Sequence, residues 1–154
     1  LVQIESIQKP APNLCKLLCD TTILKLFHFG RFDIAVLLQT FGVLTSPVYC
    51  TKIASKLVRT YTDKHGLKNL IQELLEIDIS KHQQSSDWGA KNLTNSQIEY
   101  AASDVLYLHS LKTKLDIILE RESRVEFAKK CFEFLPTRAQ LDLAGWPDTD
   151  LFSH

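Results

Sequence analysis

Two segments of the chain carry carboxylates in settings where an acid can do chemistry. In residues 27–33 a short apolar run ends, turns at a glycine and enters a helix whose first turn carries Asp33. Farther along, Tyr100 and Asp104 are spaced four apart on a predicted helix, which stacks them about 6 Å from each other on one face. Both features also have a purely structural interpretation. An acid is stabilised at a helix start, and a tyrosine hydroxyl can donate to a carboxylate at a core edge.

Together the two carboxylates predict a site for hard cations. Asp33 and Asp104 lie on different helices and could share Mg²⁺ or Mn²⁺, which prefer oxygen ligands. Tyr100 could orient an attacking water through its hydroxyl, because an ordinary pKa of about 10 favours a hydrogen-bonding role over that of a base. His28 and Arg31 precede Asp33 and either contact a substrate or pack and cap the strand end.

A run of basic residues follows the second predicted strand. Lys52, Lys56 and Arg59 fall on one face of a predicted helix, and the run continues to Lys68 with Asp63 as its only acid. Such a patch can hold the phosphates of a nucleic acid. It is also typical of a solvated helix face, so both interpretations stay open.

The composition is that of a globular domain. The chain has 154 residues, of which 45% are hydrophobic, and it balances 18 basic against 18 acidic side chains, which excludes a polybasic or acidic tail. No apolar run approaches the roughly 20 residues of a membrane helix, and no signal-peptide pattern is visible. Its four cysteines form no C-x-x-C pair, so we expect free thiols, a reduced cytoplasmic protein and no membrane partner.

Apolar periodicity predicts strands that alternate with helices, which is typical of α/β architecture. Strands are expected at residues 23–29 and 48–50, with the end of another at 2–4, and helices at about 13–18, 32–42, 51–60, 67–75, 95–115 and 121–135. A capping box, Thr94 to Gln97, opens the long helix. Pro136 is expected to end the last helix, leaving residues 137–154 irregular. A sheet of two or three strands cannot cover the apolar faces of these helices. We therefore expect that part of the sheet is absent from this chain.

Taken in order, these segments resemble the RNase D-like 3′–5′ exonucleases of the DEDDy class. Residues 25–33 resemble the second exonuclease motif of that family, and residues 100–104 resemble the third. The usual lead-in to the third motif is matched by Ser86, Asp87, Trp88, Leu93 and Gln97. This resemblance covers about residues 1–120.

A closer likeness covers essentially the whole chain. Residues 51–57, residues 59–66 and the segment 134–146 resemble the NrnC-type group, the compact bacterial diribonucleases called nano-RNases. The resemblance implies an RNase H-like α/β fold, with a mixed sheet flanked by helices. It also implies hydrolysis of short RNA, above all dinucleotides, to mononucleotides.

The resemblance further implies roles for residues and regions. Asp33 and Asp104 carry over as ligands of two divalent cations, Mg²⁺ or Mn²⁺, and Tyr100 as the residue that holds the attacking water. Residues 1–120 are expected to form a partial exonuclease domain, and residues 121–154 a helix and tail that contact other subunits. A homo-octamer is the implied assembly.

The chain departs from that family at the first motif. In the family an Asp-x-Glu pair on the first strand supplies two further metal-binding carboxylates, and this chain contains no such pair. Glu5 is the only acid near the start, and its segment matches the end of a later strand. The sequence also contains no methionine. We therefore expect an N-terminally truncated chain without the first strands, with impaired activity or none.

Two alternatives stay open at this point. One is an RNase D-type enzyme that processes the 3′ ends of structured RNA, which relative rates on tRNA precursors and dinucleotides would separate. The other is a non-catalytic remnant, or a subunit that only binds RNA or assembles. An in-frame Asp-x-Glu behind a Met codon in the DNA upstream would argue against the remnant.

Overall fold

The computed structural model describes residue 2 and residues 11–79 and 86–153. Its helices and strands follow in the order α1 (Pro12–Cys19), β1 (Lys25–Phe27), α2 (Gly30–Phe41), β2 (Val48–Cys50), α3 (Thr51–Val58), α4 (Leu67–Leu75), α5 (Asn95–Leu106), α6 (Leu108–Arg121) and α7 (Val125–Leu143). The α/β architecture expected from the sequence is confirmed. The strand end expected at residues 2–4 and Glu5 fall, apart from Val2, outside the described residues.

The two strands pair in parallel, with Leu26 opposite Tyr49 and Phe27 opposite Cys50. Both carboxyl ends therefore lie at the same edge of the sheet, and α2 and α3 both begin there. The expected mixed sheet is not seen among the residues that the structure describes, where the sheet has these two parallel strands only. This edge is the place where the sequence motifs can meet.

The turn from β1 into α2 depends on one glycine. Phe29 precedes the helix in the left-handed region, at φ 67°. A Cβ on Gly30 would lie 2.8 Å from the Cβ of Phe27, too close for any other residue without a shift of the backbone. At the other end Gly42 terminates α2, also at φ 67°, as the sequence predicts. The sharp start of α2 brings Asp33 next to the strand end.

Two buried clusters hold the helices on the sheet. The larger cluster joins α3, α4, α6 and α7 to β2 through Tyr49, Ala54, Val58, Leu70, Ile71, Leu111, Leu115, Leu119 and Ala128. The smaller cluster joins α2, β2 and α7 through Ile34, Val48, Cys50, Leu135 and Ala139. Helix α7 therefore packs into the same core as the elements that precede it.

Three expectations about the helices after residue 94 meet different outcomes. The capping box is confirmed, because Thr94 and Gln97 satisfy each other's backbone amides. The single helix expected to follow it is wrong, because the chain breaks at Tyr107, at φ −96° and ψ −2°, into α5 and α6. Pro136 does not end α7, which continues to Leu143. Proline removes only one backbone hydrogen bond, and Pro136 is buried on the side of α7 that carries the core residues Leu135 and Ala139.

Arg59 does not lie on an exposed face with Lys52 and Lys56, so that expectation is wrong. Its side chain is 1% exposed and pairs with Glu73 on α4, with Nε 3.0 Å from Oε1. Its Nη1 donates to Ser55 Oγ at 3.0 Å and to the carbonyl of Lys64 at 2.8 Å. The guanidinium thus connects α3, the loop after it and α4.

Two findings concern the whole described chain. All four cysteines are free thiols, as the sequence predicts. Among the described helices none is long and apolar enough to cross a membrane.

The Arg59–Glu73 pair should stabilise the fold in a pH-dependent way. Hydrogen bonds from Arg59, and then from Tyr61, hold the pKa of Glu73 below its usual value. The stabilisation is therefore full above the unfolded-state pKa of about 4.3 and is lost as the pH falls through the lower folded-state value. We expect Glu73→Gln to cost about 1–2 kcal/mol at pH 7, discounted because Glu73 is partly exposed, as measured by urea unfolding.

The matched control is Glu76→Gln, which removes an exposed carboxylate just after the same helix. This control should leave the unfolding midpoint unchanged. Equal midpoints for Glu73→Gln and wild type at pH 7 would contradict the prediction.

Candidate active site

A cavity of about 540 Å³ opens at the carboxyl edge of the sheet. Its wall includes four of the residues singled out in the sequence, His28, Asp33, Tyr100 and Asp104. They come from the end of β1, the first turn of α2 and the middle of α5, so the predicted meeting of the two motifs is what the structure has. Gly66, Leu67 and Lys68 from the start of α4 complete one side.

The two carboxylates of the cavity form no ion pair within the described part of the chain. Burial raises the pKa of Asp33 and the pKa of Asp104 above the ordinary value. Among the ion pairs of the described residues, none includes Asp33 or Asp104. A half-buried carboxylate without an oppositely charged partner is destabilised in its charged form, and a bound cation would remove that penalty.

Tyr100 is held by the segment that precedes its helix. Its ring packs against Trp88 with centroids 5.9 Å apart. The buried side chain of Gln97 secures that segment, since its Nε2 donates to the carbonyl of Asp87 at 2.9 Å. Burial, and then the charge of Asp104, raise the pKa of Tyr100. Its hydroxyl therefore keeps its proton at neutral pH and is suited to hydrogen bonding.

His28 is a neutral side chain between the two strand ends. Its Nδ1 lies 2.9 Å from Thr51 Oγ1, and the Thr51 hydroxyl donates to the carbonyl of Phe27 at 3.2 Å. Because the Thr51 proton is used there, Nδ1 donates and Nε2 is left as an acceptor. Burial, and then the charge of Lys52, lower the pKa of His28 to about 4. The residue both packs at the strand end and lines the cavity.

The basic residues meet in a smaller, second cavity of about 270 Å³. Its cationic wall is formed by Arg31, Lys52, Lys56 and Arg138. The ammonium of Lys52 lies 4.1 Å from the centroid of the Phe29 ring, which also lines the cavity. In the structure, Lys52 and Lys56 therefore share a cavity wall with Arg31 and Arg138. Arg59 is not part of that wall.

Sequence patterns do not identify two cations that line these cavities. Arg138 falls in the tail that the sequence predicts to be irregular, and only the continuation of α7 past Pro136 brings it to the second cavity. Lys68 belongs to the basic run, but the start of α4 brings it to the wall of the larger cavity, where it also pairs with Asp78 at 3.1 Å.

The cavity fits a divalent cation in ligand type but offers few ligands. Asp33 and Asp104 supply the carboxylate oxygens that Mg²⁺ and Mn²⁺ prefer. Among the described residues no group of three or more His, Cys, Asp or Glu side chains is placed to hold a metal. These two carboxylates would therefore provide part of a coordination sphere.

Comparison with known proteins assigns the chain to a family. The profile of a family described as 3′–5′ exonuclease matches residues 2–120, and the chain belongs to that family. Its RNase H-like fold and its similarity to RNase D and NrnC agree with the motif assignment made from the sequence.

Three relatives illustrate this similarity. Brucella melitensis NrnC is 62% identical, with a TM-score of 0.92 over 96% of this chain and 71% of its own, and it has also been solved with bound Mg²⁺ and bound to pGG. Ribonuclease D of Gluconacetobacter diazotrophicus is 37% identical over 111 residues, which are 72% of this chain and 28% of that protein. Escherichia coli RNase D is 29% identical, with a TM-score of 0.78 over 91% of this chain and 38% of its own. The chain thus spans less than a third of the curated relative.

Removing the charge of Asp104 should stabilise the metal-free protein. A group whose pKa is raised by folding contributes stability that is full below its unfolded-state pKa, about 3.9, and is lost as the pH rises through the folded-state value. At pH 7 the ionised carboxylate therefore opposes folding. We expect Asp104→Asn to raise the Tm by roughly 2 °C in EDTA at pH 7, and to have no such effect at pH 3.

Asp63→Asn is the matched control, because Asp63 is exposed in the loop before α4. Scanning calorimetry of the three proteins measures the difference. A lower Tm for Asp104→Asn than for wild type at pH 7 would show that the carboxylate is stabilised by partners within the fold.

Proposed function

We propose that this chain hydrolyses short RNA, with dinucleotides as its preferred substrates, from the 3′ end. The observation that carries the proposal is the convergence of Asp33, Tyr100 and Asp104 on one cavity. It is supported by the similarity to Brucella melitensis NrnC, which has been solved bound to pGG. The mechanism is of the two-metal type, with Mg²⁺ or Mn²⁺, and the NrnC structure with Mg²⁺ supports a divalent cation.

Four polar side chains of the cavity have roles in this proposal. Asp33 and Asp104 hold the divalent cations, which when bound supply a more acidic water and stabilise the charge on the leaving oxygen. Tyr100 keeps its proton and orients the attacking water by its hydroxyl, with its ring held against Trp88. Neutral His28 accepts a hydrogen bond at Nε2 from the substrate ribose. Since the described residues supply two carboxylates, the 154-residue chain should be a slow enzyme.

The second cavity is the proposed binding site for a phosphate group of the substrate. Lys52 and Lys56 line it together with the ring of Phe29, which borders His28 in sequence. Arg31 and Arg138 share one acidic partner, Asp142, so the cavity wall keeps a net positive charge. Phosphate oxygens are the ligands such a wall attracts.

Assembly and location belong to the same proposal. Large apolar side chains are exposed on α7 and in the tail, at Phe127, Phe134, Leu143, Trp146 and Phe152. Exposed apolar surface of this kind marks contacts with other subunits, which supports a homo-oligomer, an octamer by resemblance. We expect the enzyme to act in the cytoplasm.

Single-turnover cleavage tests the proposal. With excess protein, Mn²⁺ and 5′-phosphorylated GG, we expect slow release of mononucleotide, measured by chromatography. Asp104→Asn should abolish it, and Tyr100→Phe should lower the rate at least about 10-fold because the water loses its orienting hydroxyl. Tyr107→Phe, which removes a hydroxyl at the break between α5 and α6, should cleave like wild type.

The alternative functions give different results in the same assay. Binding of the dinucleotide without cleavage in any metal would favour a non-catalytic RNA-binding subunit. Faster cleavage of a tRNA precursor than of the dinucleotide would favour RNase D-type processing. Rapid multiple turnover would contradict the proposed impairment.

The salt dependence of RNA binding tests the second cavity. The double variant Lys52→Ala, Lys56→Ala should bind a 5′-phosphorylated tetraribonucleotide more weakly. The plot of the log of its association constant against log salt should also be less steep, by roughly 1.4 for two lost phosphate contacts. The matched control, Lys16→Ala with Lys114→Ala, removes two exposed lysines from α1 and α6. Fluorescence anisotropy measures the binding of both double variants at several salt concentrations. Equal slopes in the two would show that Lys52 and Lys56 do not contact the phosphates and belong to a solvated surface.

A further inference from the structure

Asp142, in the last turn of α7, joins that helix to the first turn of α2. Its Oδ2 accepts from Arg31 Nε at 2.6 Å and its Oδ1 from Arg31 Nη2 at 2.7 Å. The same Oδ1 lies 2.9 Å from Nη2 of Arg138. The side chains of Asp142 and Arg138 are 15% and 17% exposed, whereas Arg31 is 36% exposed, so the carboxylate is better shielded from water than the Arg31 guanidinium. A bidentate Arg–carboxylate pair of this kind fixes geometry as well as adding stability.

The segment after α7 completes the cluster. Arg138 Nη2 donates to the carbonyls of Trp146 and Pro147 at 2.6 and 2.9 Å, and Arg31 also donates to Pro147. Hydrogen bonding to Asp142 raises the pKa of Arg31. The first turn of α2, the end of α7 and the following turn are therefore fixed to one another.

The start of α2 has few constraints of its own. No side chain caps the helix, and Phe29 ahead of it is in the left-handed conformation. Ile34 packs on α7 within the smaller buried cluster, together with Leu135 and Ala139. Asp33 lies between Ile34 and Arg31 in sequence, so α7 holds the helix on both sides of the carboxylate that enters the cavity.

We propose that Asp142 is a positioning residue for Asp33, acting through Arg31. The inference rests on the proposed function in one respect, namely that Asp33 is a metal ligand. Asp142 lies beyond residues 2–120, the part matched by the exonuclease family, so α7 adds a support that the family match does not include. Functional carboxylates need placement to within about 0.5 Å. The bidentate ion pair of Asp142 with Arg31, two residues before Asp33, supplies such precision.

The test uses an isosteric change and a control on the same helix. Asp142→Asn removes the charge but keeps the shape, Asp142→Glu keeps the charge, and Glu133→Gln removes a carboxylate whose partner, Lys130, is exposed. The first readout is hydrogen exchange at the amides of Ile34 and Ala35, which close the first turn of α2. We expect roughly 10-fold faster exchange in Asp142→Asn, with the amides of α6 unchanged.

The second readout is Mn²⁺-induced broadening of the carboxyl carbon signals of Asp33 and Asp104. In Asp142→Asn, broadening of both signals should need roughly 10-fold more Mn²⁺, because Asp33 and Asp104 line one cavity and a cation held there is close to both. Asp142→Glu should restore the response in part, and Glu133→Gln should match wild type throughout. A merely structural role would also speed amide exchange throughout α6.

Each result decides the matter. An unchanged Mn²⁺ response in Asp142→Asn overturns the proposal, and so does a weaker response that comes with faster exchange throughout α6. If Mn²⁺ broadens neither signal in wild type, the proposed metal site fails. In that case the exchange at Ile34 and Ala35 alone decides whether Asp142 fixes the start of α2.

Discussion

The parallel pairing of β1 with β2 is the constraint on which the site depends. The register places Phe27 beside Cys50, so the chain leaves both strands at one edge and enters α2 and α3 side by side. The hydroxyl of Thr51 links the two strand ends at this edge. It accepts a hydrogen bond from His28 and donates one to the carbonyl of Phe27. Because Gly30 admits the sharp turn there, the first turn of α2 faces α5 across the cavity. Ligand sites are typical of the carboxyl edge of parallel strands.

Charge is handled in two opposite ways in this molecule. Arg59 and Asp142 are largely buried, and each has partners that satisfy it, namely Glu73 for the first and two arginines for the second. These groups join elements that are distant in sequence. Asp33 and Asp104 are left without such partners among the described residues, and burial disfavours their charged forms. A fold that compensates its structural charges and leaves two carboxylates uncompensated is suited to binding a cation there.

Helix α7 packs on the elements of the exonuclease fold and also presents exposed apolar side chains. Leu135 and Ala139 on one side share a core with α2 and β2, whereas Phe127 and Phe134 are exposed. The same helix contributes Arg138 to the basic cavity and Asp142 to the start of α2. Residues beyond the family match therefore contact the helix that carries Asp33.

The sequence by itself determined the order of the elements, the two motifs and the family. Local rules suffice for these features: Gly42 ends α2, Thr94 and Gln97 form a capping box, and spacing puts Tyr100 one turn before Asp104. Tertiary structure decided what depends on partners far away in the chain. Arg59 is buried because Glu73 on the next helix meets it, and α7 continues through Pro136 because packing on α2 and β2 offsets the lost hydrogen bond. Helical periodicity shows which side chains share a face, but only the packed core decides whether that face meets water, a partner charge or a cavity.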